Sequence, residues 1–195
     1  MKYKIAIDLD GVSWNFRTHP SSYAWFKFGY SLATFPKKFR YDMSDFPKNV
    51  QEEAKKYLVD EKRMSDVIPV TCLVSVVNDL QDNYEVIFLT TRDPKLKCTS
   101  EKLKEIFQKY SCNVPELVYS TDKIKFCEEH SEVTAIVEDC AETLMKVTLN
   151  KKIKHIRCFL VINEHTKAYN GFIENHNIPR ITKMKCLCDI LTNIY

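Results

Sequence analysis

Apolar residues along the chain gather into short continuous runs separated by amphipathic stretches. Tyr3 to Asp8 is a β-branched and apolar run, as are Glu85 to Leu89, Leu117 to Tyr119, Thr134 to Val137 and Ile156 to Ile162, and each reads as a buried strand. Between them the apolar spacing becomes helical. It does so over Val70 to Gln81, over Lys123 to His130 and over Ala141 to Leu149. It also does so after Thr99-Ser100-Glu101-Lys102, a helix-start pattern followed by Leu103, Ile106, Phe107 and Tyr110 on one side. Alternation of this kind predicts βαβ units. The expected class is α/β, a Rossmann-like parallel sheet with helices on both faces.

Residues 13 to 69 interrupt the alternation. They hold more than half of the aromatic residues, Pro36 and Pro47 punctuate them, and Val50 to Val59 has helical spacing. A small, mostly helical cap inserted after strand one is expected there, with residues 1–12 and 70–195 forming the core. Aromatic rings in the insertion offer faces on which a nucleobase can stack, but most of them are expected to form the insertion's own small core.

Composition narrows the class. The chain has 195 residues, 45% hydrophobic and 28% charged, which suffices for a full core without metal or disulfide staples. A net charge of +3 is too mild to announce a nucleic-acid protein. No apolar run approaches the roughly 18 residues of a membrane span. The start, Met1-Lys2-Tyr3-Lys4-Ile5-Ala6-Ile7-Asp8, meets an acid too early for a signal peptide. None of the eight cysteines forms a Cys-x-x-Cys pair, so free thiols in a reducing, cytoplasmic setting are expected; Cys186-Leu187-Cys188 is only a hint of metal binding.

Ligands of open α/β sheets bind beyond the carboxyl ends of the strands. The residues at those ends are Asp8-Leu9-Asp10-Gly11, Thr90-Thr91-Arg92, Ser120-Thr121-Asp122-Lys123 and Glu138-Asp139. Strand alternation predicts that Asp8 and Asp10 point to the same side. Two carboxylates at ~4 Å repel by about 4 kcal/mol at an effective dielectric of 20. Asp139, with Glu138 beside it, adds to that load unless a cation is present, and an all-oxygen donor set selects Mg²⁺. A divalent metal, a hydroxyl and a lysine suit a phosphoryl group. One carboxylate then serves as nucleophile and another as acid and base. Gly11 permits a tight turn beside the metal. Taken singly, Thr90 reads equally as a strand former, Lys123 as a surface lysine and Asp139 as a helix cap.

Ile5-Ala6-Ile7-Asp8-Leu9-Asp10-Gly11-Val12 resembles motif I of the haloacid dehalogenase superfamily of phosphohydrolases. Phe88-Leu89-Thr90-Thr91-Arg92 is similar to its motif II, Lys123 to motif III and Val137-Glu138-Asp139 to motif IV. Within the superfamily the chain most resembles the 5'(3')-deoxyribonucleotidase group, through Asp-Gly-Val, Phe16, the insertion after motif I and the later Ile178-Pro179-Arg180-Ile181. The resemblance implies that Asp8 is the nucleophile and a metal ligand. Asp10 is then the acid/base and ligates through its backbone carbonyl. Thr90 and Lys123 hold the phosphoryl group, with Thr91 near it, Phe16 contacts substrate and Asp139 completes a Mg²⁺ site. Lys125 competes with Lys123 for its role. Cys140-Ala141-Glu142 after Asp139 and Ser13-Trp14-Asn15 after Val12 depart from that group's pattern, which bears on substrate rather than chemistry.

The expected activity is therefore Mg²⁺-dependent hydrolysis of a small phosphomonoester, a nucleoside monophosphate, through an aspartyl-phosphate. Sugar phosphates and nucleic-acid 3' ends are the alternatives on the same core. A catalytically inactive nucleotide-binding domain and a receiver-like signalling domain are the alternatives of another class. The receiver expects its phosphate-accepting Asp after the third strand, where Tyr119-Ser120-Thr121 stands. Neither membrane nor nucleic-acid partners are expected, and a homodimer is left open.

Overall fold

The computed structural model describes residues 2–16, 19–36, 43–162 and 169–182. In chain order the elements are β1 (Lys4–Ile7), β2 (Trp14–Phe16), α1 (Pro20–Lys27), a 3-10 turn at Leu32–Thr34, α2 (Lys48–Leu58), α3 (Glu61–Met64), β3 (Val67–Pro69), α4 (Leu73–Gln81), β4 (Glu85–Thr90), α5 (Lys97–Gln108), β5 (Glu116–Tyr119), α6 (Lys123–Glu129), β6 (Val133–Glu138), α7 (Ala141–Leu149), β7 (Arg157–Val161), α8 (Asn170–Asn175) and β8 (Arg180–Ile181). Six strands make one sheet in the order β5-β4-β1-β6-β7-β8. Every neighbouring pair in it is parallel.

Both faces of this sheet are covered, which is why its strands read as continuous apolar runs. Ile5 and Ile7 of β1, Val86 and Phe88 of β4, and Val137 of β6 pack with α4 and α5 residues such as Val77, Leu80, Leu103 and Phe107. The intervening residues Ala6, Ile87, Leu89 and Ile136 pack on the other face with Cys127 of α6 and Leu144 and Val147 of α7. The five strands expected from the sequence are all present, within a residue or two of the expected limits. Two-residue β8, in the segment Ile178 to Ile181, adds an edge strand beside β7.

The insertion holds mostly helices in its described residues, with one element the sequence does not signal. Helices α1 to α3 are there, but its two ends pair as an antiparallel ribbon, with Trp14 opposite Pro69 and Phe16 opposite Val67. Strands of three residues are too short to show period-two patterning. Val70 continues this ribbon, its N–H donating to the Ser13 carbonyl at 2.9 Å, and α4 begins at Leu73. Within the insertion, Trp25 meets Tyr30, Phe35 and Phe46 ring to ring. Most of the described rings thus pack on one another, as expected. Tyr57 and Met64 pack against Leu96 and Cys98 of the core.

Among the described residues no helix is long and apolar enough to cross a membrane. Cys72, Cys98, Cys112, Cys127, Cys140 and Cys158 are free thiols. The Cys186-Leu187-Cys188 segment lies outside the described residues.

Candidate active site

Strand parity aims the first carboxylates. Asp8 follows Ile7 and continues the Ala6 side of the sheet, and Glu138 continues the Ile136 side. Both sides face α6 and α7. Register keeps them level, since Ile7 pairs with both Phe88 and Val137 and the Asp8 N–H donates to the Val137 carbonyl at 2.9 Å. The chain runs from β1 outward to β4 and β5, then returns to β6 on the other side of β1. The cluster therefore sits at a topological switch point, where such sheets open a crevice.

Lys123 opens α6 and reaches into that crevice, and Asp122 caps the helix by accepting the Lys125 N–H at 3.0 Å. Lys123 Nζ donates to Asp8 Oδ1 at 2.5 Å and to Glu138 Oε2 at 2.5 Å. The other Glu138 oxygen accepts the N–H groups of Asp139 and Cys140, each at 3.2 Å. Lys125 instead is exposed, pairs with Glu129 at 3.7 Å and lines the larger neighbouring pocket, so it is Lys123 that joins the buried carboxylates. Asp139 does not cap α7, whose N-cap is Cys140.

One oxygen each of Asp8, Glu138 and Asp139 lie within 4.8 Å of one another, and all three residues are buried. One lysine faces three carboxylates, which is an excess of negative charge in a low-dielectric place. Burial pushes the Asp8 carboxyl up to about 8, with the Glu138 charge adding and Lys123 opposing. Asp139 is held well above the usual carboxylate range, first by burial and then by the charges of Glu138 and Asp8. Burial alone would lower Lys123, but attraction to Asp8 and Glu138 outweighs it and raises the lysine above its ordinary value. Compact, buried, all-oxygen donors carrying surplus charge fit a hard divalent cation such as Mg²⁺. Gly11 fits as well. At φ +82° it lies so close to the cluster that an added Cβ would stand 2.1 Å from Asp139 Oδ2.

The raised Asp8 value makes a stability prediction. The unfolded chain releases the Asp8 proton near its ordinary 3.8, whereas the folded chain keeps it to about 8. Between those values the folded state binds more protons. Stability therefore falls as pH rises through the window, by at most about 1.4 kcal/mol per pH unit per proton. Metal-free protein should thus show a lower denaturant midpoint at about pH 8 than at about pH 5, and Mg²⁺ should remove the difference. Equal midpoints in chelator would mean that the cluster carries no such load.

Asp10 lies two residues beyond Asp8 and past the end of β1, and its charge adds to those that hold the Asp8 carboxyl up. The chain leaves the strand at Ile7 and turns through Gly11, with Ser13 and Trp14 N–H groups both donating to the Leu9 carbonyl at 3.0 Å. The Asp10 carboxylate accepts from Arg92 through Nε at 2.9 Å and Nη2 at 2.5 Å, and from the Trp14 indole at 3.0 Å. That carboxylate is paired with Arg92, whereas Asp8, Glu138 and Asp139 are the three acids with one oxygen each within 4.8 Å of one another.

Thr90 is buried at the end of β4, its hydroxyl accepting the Arg92 N–H at 3.3 Å. Thr91 is exposed and lines a pocket of about 150 Å³ together with Lys123, Glu138 and Thr143. A neighbouring pocket of about 460 Å³ shares Thr121 and Asp122 with it and is walled by Arg92, Tyr119 and Phe126. Phe16 ends β2, and its side chain lies outside what is described. The sequence alone does not single out Arg92 or the full part of Glu138. The available signal was a charged residue set directly after a buried strand, since a buried Arg or Glu needs a partner.

No protein-family model matches the sequence, and no curated protein matches it. Solved structures do. A haloacid dehalogenase-like family hydrolase from Streptococcus pneumoniae superposes with a TM-score of 0.65 at 14% identity, covering 100% of this chain and 99% of its own. A haloacid dehalogenase-like protein of unknown function from Agrobacterium tumefaciens gives 0.63 at 12% identity, covering 100% and 99%. This chain has the haloacid dehalogenase fold. A candidate phosphoglycolate phosphatase from Lactobacillus plantarum gives 0.54 at 12% identity, covering 97% and 99%. On this fold the cluster of Asp8, Lys123, Glu138 and Asp139 lies at the carboxyl edge of the central strands.

Proposed function

We propose that this protein is a Mg²⁺-dependent phosphomonoester hydrolase in which residues 13–69 act as a cap over a core of residues 1–12 and 70–195. The observation that carries the reading is the buried network of Asp8, Lys123, Glu138 and Asp139 at the switch point of the sheet. Asp8, Asp139 and the Asp10 backbone carbonyl are the groups that would hold the metal, with Glu138 beside them. Bound there, Mg²⁺ supplies positive charge to the phosphoryl oxygens.

The chain's own residues do the rest. Asp8 attacks phosphorus, forming an oxygen–phosphorus bond while the ester oxygen leaves with its electron pair. Asp10 gives that oxygen a proton. Water then attacks the aspartyl-phosphate and gives its proton to Asp10, phosphate departs and Asp8 is restored. Lys123 sets the direction of the Asp8 carboxylate and offsets charge on the phosphoryl group, and Thr90 and Thr91 line its approach.

The substrate we propose is a nucleoside monophosphate. The Asp10-Gly11-Val12 start, Phe16, the insertion that follows it and the Ile178 to Ile181 segment support it, and the 460 Å³ pocket carries two rings, Tyr119 and Phe126. The Lactobacillus plantarum relative supports a second reading, a small phosphorylated hydroxy acid. Phosphate release measured over nucleoside, sugar and hydroxy-acid monophosphates, with and without Mg²⁺, decides between them. The expected result is Mg²⁺-dependent turnover led by deoxynucleotides. Release from none of them would leave an inactive binding or receiver-like domain.

A further inference from the structure

Arg92 is 6% exposed and carries a full charge, so its surroundings must account for it. At least four of the five guanidinium N–H donors of an arginine are engaged here. Nε and Nη2 form a two-pronged bond to the Asp10 carboxylate at 2.9 and 2.5 Å. Nη1 donates to the Met64 carbonyl at 3.1 Å and to Thr99 Oγ1 at 3.3 Å. The guanidinium lies 5.0 Å from the centre of the Trp14 ring, and the same indole donates its N–H to Asp10.

These contacts divide the two Asp10 oxygens. Among the described residues, Oδ1 accepts from Arg92 Nη2 and Trp14 Nε1, while Oδ2 accepts from Arg92 Nε alone. A carboxylate oxygen has two lone pairs. Oδ1 is therefore filled and Oδ2 keeps one position open, on a side chain that remains 22% exposed. The clamp thus leaves Oδ2 as the oxygen with room for a further partner.

We infer that Arg92 is a positioning residue for proton transfer: with Trp14 it locks the Asp10 carboxylate so that Oδ2 is the oxygen that gives and takes the proton. This rests on the phosphomonoesterase reading above. The lock is anchored at three places. Thr99 sits in the first turn of α5, Met64 ends α3 of the insertion, and Glu61 of the same α3 accepts the Cys98 N–H at 3.1 Å. The orientation of Asp10 therefore depends on the last helix of the insertion being seated on the core. Lysine cannot replace arginine in this arrangement, because a single ammonium does not present the two-pronged face.

The test is Arg92→Lys, with kcat/KM measured on β-glycerophosphate, an alkyl ester whose oxygen needs a proton, and on p-nitrophenyl phosphate, whose leaving group does not. The expected loss is on the order of 10- to 100-fold for the alkyl ester and under about 3-fold for the nitrophenyl ester. In an Asp10→Asn background the same change should add almost nothing. Equal losses on both esters, no loss on either, or a full additional loss in the Asp10→Asn background would each overturn the inference. If Arg92→Lys does not fold, Thr99→Val is measured instead, with a smaller loss expected on the alkyl ester alone and a uniform or absent loss counting against it. A wild-type protein that turns over neither ester would remove the phosphomonoesterase reading first, and this one with it.

Discussion

Replacing Asp8 by Asn should abolish Mg²⁺-dependent phosphate release while leaving the fold intact, or firmer than before. The two side chains have the same shape, so packing in the crevice is kept. The amide nitrogen cannot attack phosphorus, and loss of a covalent nucleophile costs on the order of 10³-fold or more in turnover. The stability half of the prediction comes from charge. Asp8 is one of three carboxylates crowded into a buried cluster, and its proton is retained to about 8 because ionisation there is opposed by burial and by Glu138. An amide at position 8 cannot ionise and so adds no charge to the cluster as pH rises, and Lys123 keeps Glu138 as partner at 2.5 Å. Metal-free Asp8→Asn should therefore show a denaturant midpoint at least as high as the wild type, and a smaller response to Mg²⁺. Turnover near the wild-type rate would mean that the nucleophile lies elsewhere. A sharp drop in the metal-free midpoint would mean that the Asp8–Lys123 bond matters more than the repulsion.

That a single position can be singled out so sharply reflects how the sheet is written into the sequence. Strands buried on both faces need apolar residues at every position, so β1, β4, β6 and β7 stand out as runs of Ile, Val, Leu and Phe. A polar residue ending such a run is conspicuous, and Asp8, Thr90 and Glu138 each do so. Parity then fixes their direction, because a side chain two residues beyond Ala6 or Ile136 must share its face. Parity ends with the strand. Leu9 and Asp10 lie past the end of β1, where the chain turns through Gly11 at φ +82° and strand alternation no longer applies. The partner of Asp10 could not be read locally either, since Arg92 is 82 residues away in the chain. The ribbon of β2 and β3 was hidden for a different reason. Three residues show less than two periods of alternation, and the pairing of Trp14 with Pro69 is set by closure of the insertion, not by local pattern. The choice between Lys123 and Lys125 was likewise undecided in the sequence. Their different placement follows from Asp122 capping α6, which makes Lys123 the first helical residue, where it reaches Asp8 and Glu138, while Lys125 stays exposed.

Replacing Lys123 by Met should destabilise the protein more than any other change in the site, and conditions that supply charge should reverse the effect. The ammonium lies 2.5 Å from both Asp8 and Glu138, and it is the cation around which the three buried carboxylates are arranged. Removing one partner of a buried ionic cluster typically costs about 3–5 kcal/mol, because the remaining charges stay desolvated and lose their compensation. Set against a typical total stability of about 5–15 kcal/mol, that loss leaves a large unfolded fraction at neutral pH. Methionine fills much the same volume as the lysine stem, so the loss reads charge and not a cavity. Two remedies follow from the same cause. Protonating the carboxylates at about pH 5 should recover much of the midpoint, since the raised values at Asp8 and Asp139 show that protonation relieves the cluster. Mg²⁺ at neutral pH should recover it as well, by bringing positive charge to the same oxygens. Neither remedy should restore turnover, because the lysine that orients Asp8 and offsets phosphoryl charge is absent. A midpoint unchanged by Lys123→Met would show that the carboxylates balance without the lysine, and the case for a divalent cation among them would lose its physical basis.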